Sequence, residues 1–244
     1  MREDNENTKE AGGFNFDFKA DFDFSFDIGL SNAVDTRYMK ARKAKPIPNE
    51  RIKYSNAKKL AKKIKIEDDV SWDIIVPGNF VFGDLIEAII MENNAKVTEM
   101  TVSTLSLDQN NVDSFKNLFV WGRLDKLNLI VSDWYYSHER KALIPYIIDE
   151  LDIDNKFQLA IAGIHTKIVL METLGGKKIV MSGSANLRSS DNIEQFTIEE
   201  NKELYDFHKE WHDTIINNFS IIDKSKERLQ HHRGMALWKI LNRK

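Results

Sequence analysis

The sequence of 244 residues contains no cysteine and no long apolar run. Without cysteine the chain can form no disulfide, no thiolate metal site and no cysteine nucleophile, and a reducing compartment suits it. No apolar stretch approaches the roughly 20 residues that a membrane-spanning helix needs. The first thirty residues lack a basic start followed by an apolar block, so no secretion signal is indicated. We therefore expect a cytoplasmic protein that does not enter the membrane.

The net charge of −3 conceals two segments of opposite sign. Residues 1–36 contain nine acidic side chains and three basic ones, whereas residues 37–65 contain twelve basic side chains and a single acid, Glu50. Such asymmetry indicates a surface that binds a polyanion, or an acidic tail that masks a basic arm. The short length and the Lys-, Asn- and Ile-rich composition suit a phage or mobile-element protein that acts inside a bacterial cell.

Residues 1–50 are polar, charged and low in complexity. From Phe14 to Ile28, phenylalanines alternate with polar residues at a period of two. That pattern favours an extended segment with one aromatic face, which would dock on a protein partner. The composition is more typical of a disordered acidic tail. We expect a largely disordered N-terminal tail followed by a basic linker, with the docking strand as the alternative.

A short basic helix or linker is predicted over residues 51–71. Ser55 can cap the helix, and Leu60 and Ile64 belong to its apolar stripe. Its lysines form either a solvated face or a surface that contacts a phosphate backbone. With two cations just upstream they are the candidate nucleic-acid-binding residues: Arg42, Lys43, Lys58, Lys59, Lys62 and Lys63.

Residues 72–220 alternate between strand and helix patterns. The predicted strands are 73–77, 96–105, 127–132, 156–162, 166–171 and 178–182, and the predicted helices are 84–94, 111–121, 137–151 and 199–219. Pro145 is expected to bend or interrupt the third of these helices. The alternation predicts an α/β domain, a layered mixed β-sheet flanked by helices. Residues 221–244 form a further basic amphipathic segment, which we predict to be a C-terminal helix.

Chemistry-bearing residues concentrate around two of these strands. His165 and Lys167 are two residues apart at the start of one strand, so both side chains are expected on one face. Gly183-Ser184-Ala185-Asn186 ends the next strand, and a hairpin would bring Ser184 and Asn186 beside the first pair. An imidazole, an ammonium, a hydroxyl and a carboxamide around one point suit a phosphate ester.

This arrangement resembles the H-x-K…G-S-x-N motif of the phospholipase D superfamily. The resemblance extends to residues 76–84, which are similar to the opening strand, loop and helix of such domains. It implies that His165 is the nucleophile or acid, that Lys167 and Asn186 hold the phosphoryl oxygens, and that Ser184 is a secondary hydrogen-bond partner. It also implies a supporting carboxylate, for which Glu194 has the matching place. The implied chemistry uses no metal and no other cofactor.

Two features depart from the family pattern. The family usually has Asp five residues after the lysine, and this position is Glu172. The turn over residues 173–178 is also longer than usual. We retain Glu172 among the catalytic candidates because it keeps the negative charge.

The chain contains one copy of the motif, and none of its other histidines begins a second H-x-K. In the family, a second histidine protonates the leaving group and then activates water. The resemblance therefore implies a two-fold homodimer with one active site on its axis, to which each chain contributes His165. Two imidazoles in opposite protonation states would give a bell-shaped pH profile.

Three other candidates are set aside. His208 and His212 have the i, i+4 spacing of a zinc pair, but no third ligand is evident, which favours surface or packing histidines. His231 and His232 fit a solvated terminal segment better than a nucleic-acid contact. Gly175-Gly176 lies between two strands and fits a hairpin turn better than a phosphate-binding loop.

The sequence thus supports two functional hypotheses. The first is a metal-independent phosphodiesterase, namely a nuclease that acts through a phosphohistidine in a homodimeric site. The second is a catalytically silent module that grips nucleic acid with the same phosphate pocket and the basic arm. Nucleic acid is preferred over lipid because of the basic residues at 37–65.

Overall fold

The computed structural model describes residues 49–53, 57–68, 70–76, 81–188 and 192–224. Within them the strands are β1 (Asn49–Lys53), β2 (Ser71–Val76), β3 (Val97–Thr104), β4 (Leu127–Ser132), β5 (Phe157–Ala162), β6 (Ile168–Thr173), β7 (Lys178–Gly183) and β8 (Glu194–Glu200). The helices are α1 (Ala57–Ala61), α2 (Phe82–Glu92), α3 (Gln109–Val120), α4 (Asp133–Glu139), α5 (Leu143–Leu151) and α6 (Lys202–Phe219).

All eight of these strands belong to one sheet, in the order β1-β2-β8-β7-β6-β3-β4-β5. The β3-β4-β5 group and the β1-β2 pair are parallel, whereas β2-β8, β8-β7, β7-β6 and β6-β3 are antiparallel. The predicted α/β fold with a layered mixed sheet and flanking helices is confirmed.

The larger core lies on the face of the sheet that packs against α1, α2, α3 and α5. Helix α2 has the periodicity that such packing requires, because Leu85, Ile86, Ile89 and Ile90 recur at one-turn intervals and are buried. The strands contribute alternate residues to the same core, as a pleated strand must.

Helix α6 covers the opposite face, chiefly over β5 and β7. Tyr205 packs with residues of β6 and β7, and Ile215 packs with residues of β4 and β5. His212 lies between them and is fully buried, and neither ring nitrogen has a hydrogen-bond partner among the described residues. Burial, with smaller contributions from His208 and Lys209, lowers the pKa of His212 well below its ordinary value. His212 is therefore a neutral packing residue, as the sequence favours.

The helix predicted over residues 137–151 is interrupted, as expected, but the break lies at residues 140–142 rather than at Pro145, and the first of the two helices starts earlier, at Asp133. Ser132 caps the first, accepting a hydrogen bond from the backbone N–H of Tyr135 at 3.0 Å. The second begins at Leu143, so Pro145 lies in its first turn. A proline there costs little because the N–H of that position has no helical partner in any case. Pro145 thus helps to start a helix rather than bending one.

Strand β8 is absent from the prediction, which starts a helix at Glu199 instead. Phe196 and Ile198 alternate with polar residues and are buried against the larger core, which is strand periodicity. Asn201 then caps α6, accepting a hydrogen bond from the backbone N–H of Leu204 at 3.0 Å. The acidic residues 199–200 end the strand, and the helix begins after them.

Several predicted segments lie outside the described residues. These are the tail and most of the linker at 1–48, including residues 14–28 and the two cations Arg42 and Lys43, and the basic segment from residue 225 onward. Strand β1 falls inside the predicted linker region and pairs in parallel with β2. The predicted turn at Gly175-Gly176 is confirmed as a hairpin turn, with Gly176 at φ +82° and its N–H donating to the Thr173 carbonyl.

Candidate active site

One edge of the sheet collects the candidate residues. The start of β6 lies beside the end of β3 through Ile168 and Ser103, and beside the end of β7 through Ile168 and Ser182. The start of β8 joins the same edge because β8 runs antiparallel to β7. The segments before β6, after β7 and before β8 therefore meet here.

His165 and Lys167 lie in an extended segment immediately before β6, rather than inside the strand as predicted. Their side chains nevertheless meet. Lys167 Nζ lies 3.0 Å from His165 Nδ1 and donates to the His165 carbonyl at 2.8 Å. Because an ammonium can only donate, this contact makes Nδ1 an acceptor and leaves the proton of a neutral ring on Nε2. His165 is exposed, so its ring can be reached from solution.

Lys167 interacts with the hairpin through its backbone carbonyl and with the Glu194 carboxylate electrostatically. The backbone N–H of Gly183 donates to the Lys167 carbonyl at 3.2 Å, which joins the two halves of the motif. Partial burial lowers the pKa of the Lys167 ammonium, and the nearby Glu194 carboxylate partly opposes this effect. A partly desolvated cation beside an imidazole is suited to bind a phosphoryl oxygen.

Ser184 and Glu194 form the second half of the site. The Ser184 hydroxyl donates to Glu194 Oε2 at 2.5 Å and accepts from the backbone N–H of Gln195 at 3.0 Å. The Ser184 backbone N–H also donates to the Gln195 carbonyl at 2.9 Å. The loop after β7 is thereby fixed to the start of β8. The structure therefore brings Glu194 to the predicted neighbourhood, bonded to Ser184 and acting electrostatically on Lys167.

Asn186 follows on the same loop. Its Oδ1 atom is buried and has no hydrogen-bond partner among the described residues. The next residue, Leu187, is buried, and its backbone N–H donates to Thr104 Oγ1 at 3.3 Å. Because the carboxamide oxygen is a buried acceptor, any contact of Asn186 with an anionic phosphoryl oxygen must come from its Nδ2 donors.

Thr166 is a contributor that the sequence motif does not single out. Its hydroxyl donates to Ser103 Oγ at 3.0 Å and so anchors the His165–Lys167 segment on the end of β3. Strand-like alternation places Thr166 opposite its two neighbours, and that pattern is the sequence signal that could have revealed the anchor.

Gly183 is required where β7 and β8 come closest. A Cβ atom at this position would lie 2.2 Å from the Gln195 carbonyl oxygen and 2.6 Å from the Phe196 Cα. Both neighbours are backbone atoms, so they cannot turn aside as a side-chain tip could. The glycine thus permits the pairing that joins Ser184 to the start of β8.

We expect Gly183→Ala to destabilise the protein by about 2 kcal/mol or more, because the two strands must separate or strain to admit the methyl group. Urea unfolding followed by circular dichroism measures the destabilisation. Gly175→Ala is the matched control, because a Cβ there would meet only Thr173 Oγ1, at 3.8 Å. Equal stabilities of the two variants would contradict the expectation.

Glu172 is not brought to this edge. It lies five residues beyond Lys167 along β6, which corresponds to roughly 16 Å at the rise of a strand. Its carboxylate pairs with Lys178 at 2.5 Å, and the Lys178 ammonium lies 4.7 Å from the centre of the Tyr205 ring. Glu172 therefore belongs to the far end of the hairpin, where it joins β6 to β7, and the expectation that it is catalytic is corrected.

The four lysines of the predicted basic helix, here called the lysine surface, lie on another element of the fold. Lys58, Lys59, Lys62 and Lys63 are all exposed, on α1 and just after it, and α1 packs against α2. The segment that follows them contacts the turn between β6 and β7, because Lys177 Nζ donates to the Ile66 carbonyl at 3.1 Å. That turn is at the opposite edge of the sheet from His165, whereas the segment before α1 ends β1 near the edge of His165.

Two further properties concern metal and membrane binding by the described part of the chain. It contains no group of three or more His, Asp or Glu side chains that could hold a metal ion. Among the same residues, no helix is long and apolar enough to cross a bilayer.

Neither a protein-family model nor a curated protein matches the chain by sequence. Solved structures that are similar to it include NucT from Helicobacter pylori, at 15% identity and a TM-score of 0.46, with 62% of this chain and 99% of that chain covered. A second is Nuc from Salmonella typhimurium, described as a phospholipase D family member, at 11% identity and a TM-score of 0.43, with 62% and 97% covered.

A third is the phosphatidylserine synthase of Haemophilus influenzae, at 13% identity and a TM-score of 0.44, with 73% of this chain and 46% of that chain covered. Of these structures, Nuc is described as a phospholipase D family member. The motif of His165, Lys167, Ser184 and Asn186 around β6 and β7 is the feature by which the chain resembles the phospholipase D superfamily.

Proposed function

We propose that the protein is a metal-independent phosphodiesterase, and specifically a nuclease, that acts through His165. The observation that carries the proposal is the contact of Lys167 Nζ with His165 Nδ1 at 3.0 Å, on a hairpin whose next loop holds Ser184 against Glu194. A cation and an imidazole at one point, with the Nδ2 donors of Asn186 on the adjoining loop, suit a phosphodiester.

The first step begins with substrate binding. A phosphodiester gives Lys167 a charged acceptor in place of the neutral ring nitrogen, and Asn186 contributes its N–H donors to the same phosphate. When Lys167 no longer donates to Nδ1, the proton of the neutral His165 ring can move between its two nitrogens. The ring nitrogen without the proton then attacks phosphorus. The P–O bond to the leaving group breaks as the P–N bond forms.

The first step also requires a proton donor for the departing oxygen, for which we propose His165 of a second copy. In the second step that imidazole, now neutral, takes a proton from water. The water oxygen attacks phosphorus, the P–N bond breaks, and a phosphate monoester and free His165 result. A two-fold homodimer would bring the two histidines together on its axis.

Cleavage of single- and double-stranded DNA and RNA in EDTA tests the proposal directly. Product formation that survives the chelator is expected. A protein that binds these substrates and cleaves none of them would instead be the silent binding module.

The lysine surface on α1 is proposed to contact the phosphate backbone of a long substrate. We expect glutamine at Lys58, Lys59, Lys62 and Lys63 to weaken binding of a duplex of about 30 base pairs and to reduce the slope of log K against log salt. The slope should fall by roughly 0.9 for each phosphate that the variant no longer neutralises. Fluorescence anisotropy at several salt concentrations measures it.

A double variant, Lys156→Gln with Lys202→Gln, is the matched control, because those exposed lysines already pair with Asp154 and Asp206. Hydrolysis of bis(p-nitrophenyl) phosphate should be unchanged in both variants, since this substrate has no phosphate backbone for the lysine surface to contact. A slope unchanged in the fourfold variant would exclude α1 from the nucleic-acid interface.

A further inference from the structure

An exposed aromatic pair lies at the same edge of the sheet as His165. Trp134, near the start of α4, is 46% exposed although it is a large apolar side chain. The His138 ring packs on it with centroids 4.4 Å apart, and His138 Nδ1 lies 2.7 Å from the Trp134 carbonyl oxygen. The indole therefore has one supported side and one side available to solution.

Chain connectivity limits the distance from this pair to the catalytic residue. Ser132 pairs with Ala162 across β4 and β5, so their Cα atoms are about 4.8 Å apart. Trp134 follows Ser132 by two residues and His165 follows Ala162 by three. At 3.8 Å per residue, their Cα atoms cannot be more than about 24 Å apart.

The loop that carries Asn186 is also tied to α4. Leu187 pairs with Leu107 in an isolated bridge, and the Tyr135 hydroxyl donates to the Leu107 carbonyl at 3.0 Å. Asn186 and Trp134 each adjoin a residue of this connection. These contacts therefore tie the loop of Asn186 to the helix that carries Trp134.

Arg188 adds a cation near the Tyr135 hydroxyl, on the loop that follows Asn186. It is exposed, two residues after Asn186, and its guanidinium acts electrostatically on the Tyr135 hydroxyl. The carboxylates of Glu139 and Asp108 act on the same hydroxyl with the opposite sign. Of the two, Asp108 is engaged as the cap of α3, where its Oδ1 accepts from the backbone N–H of Asn111 at 3.2 Å.

We propose that Trp134 is a stacking platform for an unpaired base, so that the substrate is single-stranded nucleic acid with its scissile phosphate at His165 and Lys167. The inference rests on the proposed function and specifies its substrate class. A base must leave its pair to stack on an indole, and indole stacking tolerates every base. Arg188 then contacts the backbone between the stacked base and the scissile phosphate.

The test compares Trp134→Ala with Trp121→Ala. Trp121 is a matched control because it is 49% exposed but lies at the opposite edge of the sheet, where Arg123 bonds to the start of β3. Substrates are a single-stranded oligonucleotide of about 12 residues and versions with one abasic nucleotide moved along it. Cleavage rate in EDTA and affinity by anisotropy are both measured.

Trp134→Ala is expected to lower kcat/KM and affinity about 10-fold to 100-fold on the intact oligonucleotide, and Trp121→Ala to leave both unchanged. In the wild-type protein, an abasic nucleotide at one or two positions should cause the same reduction, and on those substrates Trp134→Ala should have no further effect. If no substrate is cleaved, the affinities of the two variants for the intact and abasic oligonucleotides still test the stacking role. A failed nuclease proposal and a failed stacking proposal are therefore distinguishable.

Equal reductions in the two variants, or a reduction in Trp134→Ala that is the same on every abasic substrate, would overturn the stacking role. Sedimentation velocity measures whether Trp134→Ala changes the oligomeric state. If Trp134→Ala converts a dimer into a monomer, then Trp134 is a contact between copies of the chain and the proposal is rejected.

Discussion

Replacing His165 with alanine is expected to reduce phosphodiester cleavage at least about 1,000-fold while nucleic-acid affinity changes only slightly. The imidazole is the proposed nucleophile, and removal of a covalent catalyst leaves only the binding groups to lower the barrier. Lys167 loses one acceptor in this variant but keeps the carbonyl of residue 165, to which it donates at 2.8 Å. The phosphate-binding side chains therefore remain.

The measurement is cleavage of labelled oligonucleotides in EDTA, with anisotropy for affinity. His208→Asn is the matched control, because His208 is a half-buried histidine on α6 whose Nδ1 accepts from Trp211 Nε1 at 3.2 Å and which the proposed chemistry does not use. A second readout follows the covalent step: 5′-labelled or 3′-labelled substrate quenched in alkali should leave label on the wild-type protein and none on His165→Ala. A P–N bond is stable to alkali, so wild-type protein that carries no label after the quench would reject the phosphohistidine.

Two outcomes would contradict the proposal in different ways. Cleavage that persists in His165→Ala would mean that another group, or another protein in the preparation, performs the chemistry. A wild-type protein that binds nucleic acid and cleaves no substrate would show that the pocket only holds phosphate. In that case the contact of Lys167 with His165 Nδ1 would belong to a phosphate-binding pocket and would not precede nucleophilic attack.

The parts of this site that could be predicted from sequence are those set by local geometry. His165 and Lys167 share a face because they are two residues apart in an extended segment, and Ser184 returns to them because a single hairpin joins β6 to β7. Strand rise alone also separates Glu172 from the site, since five residues along β6 span roughly 16 Å. The distance of Glu172 from the site could therefore be predicted from its position in the strand, although the family motif groups this residue with the histidine and the lysine.

The remaining features depend on the order of strands, which sequence spacing does not specify. Strand β8 pairs with both β2 and β7, and only that position brings Glu194 to Ser184. The polar residues that alternate along it resemble the acidic start of a helix. The place of α1 likewise follows from the parallel pairing of β1 with β2 and from its packing against α2, which no local pattern encodes.

A dimer that combines one wild-type chain with one His165→Ala chain is expected to have less than about 1% of wild-type activity. If one active site is shared on a two-fold axis, it needs two imidazoles, one as nucleophile and one as acid and base. General acid–base catalysis contributes typically 100-fold to 10,000-fold, so one histidine cannot replace two. If each chain instead carries a complete site, the mixed dimer keeps half of the activity.

Two affinity tags on co-expressed chains allow the mixed dimer to be purified through both. A doubly tagged dimer of two wild-type chains is the first control and should be fully active. The second pairs wild-type with a His208→Asn chain, which tests whether any substitution on one side is harmful. Sedimentation velocity must show that the mixed species is a dimer during the assay, because dissociation and re-pairing would restore wild-type dimers. Half activity in the His165 mixed dimer, or full activity from a monomer, would reject the shared site and require the proton donor to come from within one chain.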